Sequence, residues 1–78
     1  MKALVEYIAR SLVDDPSAVL VTMERRGPQH VVKLHVAKED MGRVIGKGGK
    51  VANAMRILLR VAAAQEGKRA VMDIVEPL

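Results

Sequence analysis

The chain has no cysteine, no phenylalanine and no tryptophan, and Tyr7 is its single aromatic residue. Without cysteine there is no disulfide scaffold, no thiolate metal site and no cysteine nucleophile. Without larger aromatics the core must be built from Val, Leu, Ile, Ala and Met, although half of the residues are hydrophobic. No apolar run approaches the roughly 20 residues of a membrane span. The first residues alternate charged and apolar side chains instead of forming a signal-peptide core. The expectation is a cytoplasmic protein with no membrane insertion.

Catalytic chemistry is poorly represented. The two histidines, His30 and His35, are five apart on one expected strand, so they point to opposite faces and cannot chelate together. Asp14-Asp15 and Glu39-Asp40 are adjacent pairs better explained by helix ends than by acid–base work. Asp73 has no evident partner. No enzyme, no metal and no cofactor is expected. The 78 residues make one domain, 1–78, with no room for a second core. A chain this small without staples is marginal alone, which leaves its surface to be completed by a partner.

What is abundant is glycine and positive charge in one place. Gly46-Lys47-Gly48-Gly49-Lys50 sets three glycines among two lysines, directly before a long apolar-patterned segment. A bare backbone leading into a helix N-terminus presents N–H groups and the positive end of a dipole, which suits phosphate oxygens. Of the 13 basic residues, Arg43, Lys47, Lys50, Arg56 and Arg60 lie between Met41 and Gln65, where there is no acid. The other eight are outnumbered by the nine acids. A solvated helix face is the plain account of five charges. Their coincidence with the glycines favours a polyanion. A nucleotide triphosphate fits badly. The spacing from Gly42 to Gly46 is one residue too short for a Walker loop, and Gly48 stands where a hydroxyl should hold magnesium. The dinucleotide fingerprint fails as well, since its third glycine is missing.

Periodicity outlines the elements. Lys2–Val13 reads as an amphipathic helix with Leu4, Val5, Ile8 and Leu12 in one stripe, stopped by Asp14-Asp15-Pro16. Val19–Glu24 and His30–Ala37 alternate as strands, joined by a turn at Arg26–Gln29 into an antiparallel hairpin. Lys38–Val44 reads as a short helix, Lys50–Gln65 as the longest, ended by Gly67, and Ala70–Val75 as a third strand. The expected architecture is α+β, three strands in one layer and three helices in the other. On the long helix, Val51, Met55, Leu58, Leu59 and Ala62 share an arc expected to face the sheet. Ala54, Ile57 and Val61 form a second strip, read first as packing on the N-terminal helix and otherwise as a subunit contact.

The run Val44-Ile45-Gly46-Lys47-Gly48-Gly49-Lys50-Val51-Ala52 resembles the V-I-G-x-x-G-x-x-I signature of KH domains, with its G-x-x-G loop between two helices. The element order, α-β-β-α-α-β, is similar to the type II variant. Across essentially the whole chain the sequence resembles the KhpA family of small bacterial single-KH proteins. That likeness rests on E-D-M-G-R-V-I-G-K-G-G-K and on the N-terminal L-V-E-Y-I-A-R-S-L-V-D segment. Ala52 stands where many KH domains have a larger aliphatic residue, and Met55 one turn on fills part of the space.

The resemblance implies single-stranded RNA as the ligand, its backbone clamped by Gly46, Lys47, Gly48, Gly49 and Lys50, with Arg43, Arg56 and Arg60 extending the charge. Bases would lie over Val44, Ile45, Val51 and the strand around Val32 and Leu34. Stacking on aromatics is not available. It also implies an RNA-chaperone role beside a KhpB-like KH partner, with links to cell-wall homeostasis and cell length. So small a binding surface calls for a second KH unit in any case, from such a partner or from a homodimer. The alternative is a protein-interaction adaptor that uses the fold mainly to dimerise.

Overall fold

The computed structural model describes residues 1–77. Helix α1, Lys2–Leu12, buries Val5 and Ala9 and stops short of Asp14-Asp15-Pro16. One 3-10 turn, Pro16–Ala18, leads into strands β1, Leu20–Arg26, and β2, Gln29–His35. These pair antiparallel from Leu20↔His35 to Arg26↔Gln29, leaving only Gly27 and Pro28 in the turn. Gly27 takes φ +58 and Pro28 is locked at negative φ, the combination a II′ hairpin turn requires. The expected turn was wider, so both strands differ from expectation by one or two residues at their ends.

The expected helix over 38–44 divides into a 3-10 turn, Lys38–Asp40, and α2, Met41–Ile45. Helix α3, Lys50–Gln65, follows, and β3, Arg69–Ile74, ends the fold. Strand β3 runs parallel to β2, giving the order β1-β2-β3 with β2 central. The three helices cover one face of this mixed sheet, an α+β fold with the order α-β-β-α-α-β. Between them lies an aliphatic core that includes Val5, Val21, Val32, Leu34, Val44, Met55, Leu59 and Met72. Each fully buried Leu or Val contributes about 1.5–3 kcal/mol. Within β1 only Val21 is buried, because the distal half of the hairpin projects past the helical layer.

The opposite sheet face is roofed by charge. Val31 lies on it yet is 2% exposed. The Glu24 side chain opposite holds Arg26 at 2.7 Å and Lys33 at 3.4 Å. Arg26, and then Lys33, keep the Glu24 carboxyl below the usual carboxylate range.

The face that α3 turns to the core differs from the expected arc. Ala52, Met55, Leu59 and Ala63 are buried, whereas Leu58 is 51% exposed. At 100° per residue the buried stripe is rotated by about 60° from the expected one. Two alanines let the helix backbone approach the sheet, and the larger Leu58 is displaced outward. The strip of Ala54, Ile57 and Val61 does not pack on α1 either. Ile57 and Val61 are 53% and 54% exposed, nearly opposite the core.

One buried carboxylate ties the linker after α1 to the start of α2. Asp40 is 2% exposed and accepts the N–H groups of Asp14 and Asp15, each at 3.1 Å, one on each oxygen. Arg43 closes the knot, with Nη2 2.9 Å from Asp14 and Nε 3.5 Å from Asp40. Asp40 thus does more than complement a helix end, and a partner 25 residues away left no local signature. Asp40→Ala strands two backbone donors and should cost about 2–3 kcal/mol, read as a lower urea midpoint. Asp40→Asn, which keeps one acceptor oxygen, should lose about half as much.

Candidate nucleic-acid interface

Helix α2 ends because Gly46 leaves the helical region. Its φ of 74 and ψ of 172 lie in territory that is essentially glycine's alone. The N–H of Gly46 still reaches the carbonyl of Gly42 at 2.9 Å, closing the helix. A Cβ at residue 46 would stand 2.8 Å from Val51 Cβ and 2.9 Å from Val51 N, so the turn between the helices closes only over a missing side chain. Lys47–Gly49 then form one 3-10 turn, and Gly49, at φ 77 and ψ 12, opens α3.

This turn projects outward. Lys47, Gly48 and Lys50 are exposed, and a Cβ at Gly48 would meet nothing within 4 Å. Hydrogen bonding within the turn decides which donors remain. Gly49 N–H donates to Gly46 O and Lys50 N–H to Lys47 O. Among the described residues the N–H groups of Lys47 and Gly48 have no backbone acceptor. The open donors therefore stand at the tip of the loop, one step before the helix opening where the sequence suggested them. Neither Lys47 nor Lys50 takes part in an ion pair among the described residues.

The other expected residues divide by position. Val44 is fully buried beneath the loop, and Ile45 beside it is partly open at the surface. Arg43 is committed to Asp14 and Asp40. Arg56 is half-buried across the outer edge of β3, its Nε donating to Met72 O at 3.3 Å and its Nη1 to Asn53 Oδ1 at 3.3 Å. Arg60, one turn on, is exposed along the same seam.

The apolar groove lies elsewhere than expected. Val32 and Leu34 are fully buried because β2 is the central strand, and β3 stands between it and solvent. The cleft beside the loop, about 280 Å³, is instead lined by residues including Ile45, Gly49, Ala52, Arg56 and Ile74, together with the acidic Asp73 and Glu76. Sequence reasoning missed Ala52 and Ile74 as groove residues, since strand order is not written in local pattern. Among the described residues no three His, Asp or Glu side chains gather closely enough to hold a metal.

Two helices joined by a G-x-x-G turn and laid on a three-stranded sheet of this order define a KH domain. The family described as "KhpA/KhpB, KH domain" matches residues 2–74, and the chain belongs to it. It is 50% identical over 76 residues to a protein of Clostridium acetobutylicum named RNA-binding protein KhpA, covering 96% of this chain and all of that one. Proteins of the same name from Caldanaerobacter subterraneus and Listeria monocytogenes are 45% and 41% identical, covering 96% and 97% of this chain and all of theirs. The shared name is that of an RNA-binding protein and not of an enzyme. Among solved structures, a variant of Aquifex aeolicus Era bound to GDP.AlF4- aligns with a TM-score of 0.66 at 18% identity, covering 94% of this chain and 28% of that one. That likeness is one of fold alone.

The three loop glycines should respond unequally to alanine. Gly46→Ala combines a forbidden conformation with a backbone clash and should cost about 3 kcal/mol or more. Gly48→Ala, with open space around it at φ 65, should cost about 1–2 kcal/mol. Thermal melting of the two variants side by side checks the order.

Proposed function

We propose that the whole chain is one KH unit that binds single-stranded RNA in the cytoplasm by gripping its sugar–phosphate backbone at Gly46–Gly49. The observation that carries this reading is the pair of N–H groups at Lys47 and Gly48, which have no backbone acceptor among the described residues. They stand on a glycine-rich ridge beside Lys47 and Lys50, neither of them in an ion pair among those residues. Phosphate oxygens suit such donors, and KH loops of this form clamp about four nucleotides. Gly46 and Gly49 shape the ridge, while Lys47 and Lys50 add point charge. Bases then lie over Ile45, Gly49, Ala52 and Ile74, with Arg56 and Arg60 continuing the cationic side. Asp73 and Glu76, which also line that cleft, repel phosphates from it and favour their seating at the lysines. Arg43 and Val44 act from beneath, one holding α2 to the linker and the other anchoring the loop to the core.

Four nucleotides held without aromatic stacking make a weak complex, so useful avidity calls for a second KH unit. The exposed Ile57, Leu58 and Val61 supply a surface for it, in a homodimer or with a KhpB-like partner. The family resemblance supports two finer readings: an RNA-chaperone role for that pair, and a link to cell-wall homeostasis and cell length. The same apolar strip favours the second reading, an adaptor in which dimerisation is the main activity.

One pair of variants separates the two. Lys47→Asp with Gly48→Asp sets two negative charges at the ridge, where Gly48 has room for a side chain and aspartate tolerates positive φ. Circular dichroism should stay native while titration with single-stranded RNA shows no binding. RNA crosslinking in cells that persisted unchanged in this variant would transfer the case to the adaptor. In the unmodified protein, about three phosphate contacts give a log–log salt slope of roughly −2. Leu58→Asp with Val61→Asp should shift sedimentation to the monomer and leave binding of a tetranucleotide unchanged.

A further inference from the structure

Clefts follow one another along the seam between α3 and β3, away from the glycine loop. Arg56 borders the first and second, Arg60, Ala70 and Val71 the second and third, and Lys68 and Arg69 the third and fourth. Each cleft shares lining residues with the next, so together they mark a trough beside α3, whose 16 residues span about 24 Å at 1.5 Å per residue. The fourth cleft, about 500 Å³, is lined by Arg25, Pro28, His30, Gly67, Lys68 and Arg69. Three of these six side chains carry a full positive charge and none is acidic.

The cleft is built by two chain reversals brought side by side. At the end of α3, Gly67 takes φ +68, its N–H bonding Ala64 O at 3.0 Å while Lys68 N–H bonds Ala63 O at 2.9 Å. Both bonds together make a complete Schellman closure, which satisfies the last carbonyls and turns Lys68 and Arg69 toward the hairpin. Registry of Gln29 with Arg69 places the hairpin turn beside them. Arg25 is steadied by its own turn, Nε donating to Gly27 O at 3.2 Å. Lys68 shares Glu66 at 3.7 Å, but no ion pair among the described residues involves Arg25 or Arg69.

We propose that this cleft is a second phosphate-binding subsite for the same RNA strand, several nucleotides beyond those clamped at Gly46–Gly49. The inference rests on the RNA reading above and extends it. Guanidinium groups not spent on carboxylates take phosphate bidentately. This succession of adjoining clefts leads a strand from one site to the other, past Arg56 and Arg60. Phosphodiesters of a continuous strand suit this spread of cations better than one compact anion, which would need them convergent.

The test compares a tetranucleotide, the length a KH loop clamps, with an unstructured strand of about eight nucleotides. Fluorescence anisotropy is read at several salt concentrations. Arg25→Glu with Arg69→Glu should weaken the longer strand by about tenfold or more and shrink its salt slope by about 1.4, while the tetranucleotide binds as before. Arg25→Gln with Arg69→Gln, which keeps polar side chains of similar reach, should fall between and guards against a folding defect. An equal loss on both lengths, or no loss on the longer strand, overturns the subsite. Failure of the unmodified protein to bind either strand would instead sink the RNA reading itself.

Discussion

Val51 occupies the space that any side chain at residue 46 would need, with its N and Cβ within 3 Å of where that Cβ would stand. This exclusion sets the angle between two helices whose connection is only four residues long. Because Gly46 is bare, α2 can end, reverse and deliver its chain to α3 without spreading the helices apart. The reversal also leaves Lys47 and Gly48 at the apex, their N–H groups without a backbone acceptor among the described residues. An unshielded stretch of main chain is costly inside a protein and useful at its surface. Here it is kept at the surface by Val44 below, which is fully buried and ties α2 to the core.

Helix α3 then divides its circumference among three tasks. Ala52, Met55, Leu59 and Ala63 face the core; Arg56 and Arg60 flank the free edge of β3; Ile57, Leu58 and Val61 point away from the sheet. The division depends on alanine as much as on charge. Small residues bring the helix near the sheet, so the guanidinium of Arg56 reaches the carbonyl of Met72 on the strand edge. Larger residues there would lift the helix and open the seam that becomes the trough.

Much of this was legible in the sequence, and the reasons differ by feature. The glycine loop and its lysines were read from composition, because only a backbone that needs positive φ concentrates glycine so tightly. Element order followed from periodicity, which is local. The features missed were those set by partners distant in sequence. Asp40 finds its donors at Asp14 and Asp15, and Arg43 spends its charge there too. The groove was expected against Val32 and Leu34, but hairpin pairing and a parallel crossover make β2 central, so β3 forms its wall. The core face of α3 was misjudged because attention to large apolar side chains favours Leu58, whereas close packing selects Ala52 and Ala63.

The angular layout of α3 also bears on how weak binding can become useful. In the proposed arrangement a second KH unit docks on Ile57, Leu58 and Val61, whose strip lies nearly opposite the buried stripe, at about 100° of turn per residue. Arg56 and Arg60 sit between the two, on the side of β3. A partner seated on the outer pole therefore leaves the Arg56–Arg60 side of α3 open, and the glycine loop lies about two turns N-terminal of Ile57. Each unit of the pair keeps its own seam. The second clamp then engages at an effective concentration fixed by the rigid body between them, which raises avidity without strengthening either clamp's own contacts. Avidity of that origin needs no aromatic platform, which suits a chain whose only aromatic side chain, Tyr7, lies on α1 and away from the loop's own sequence.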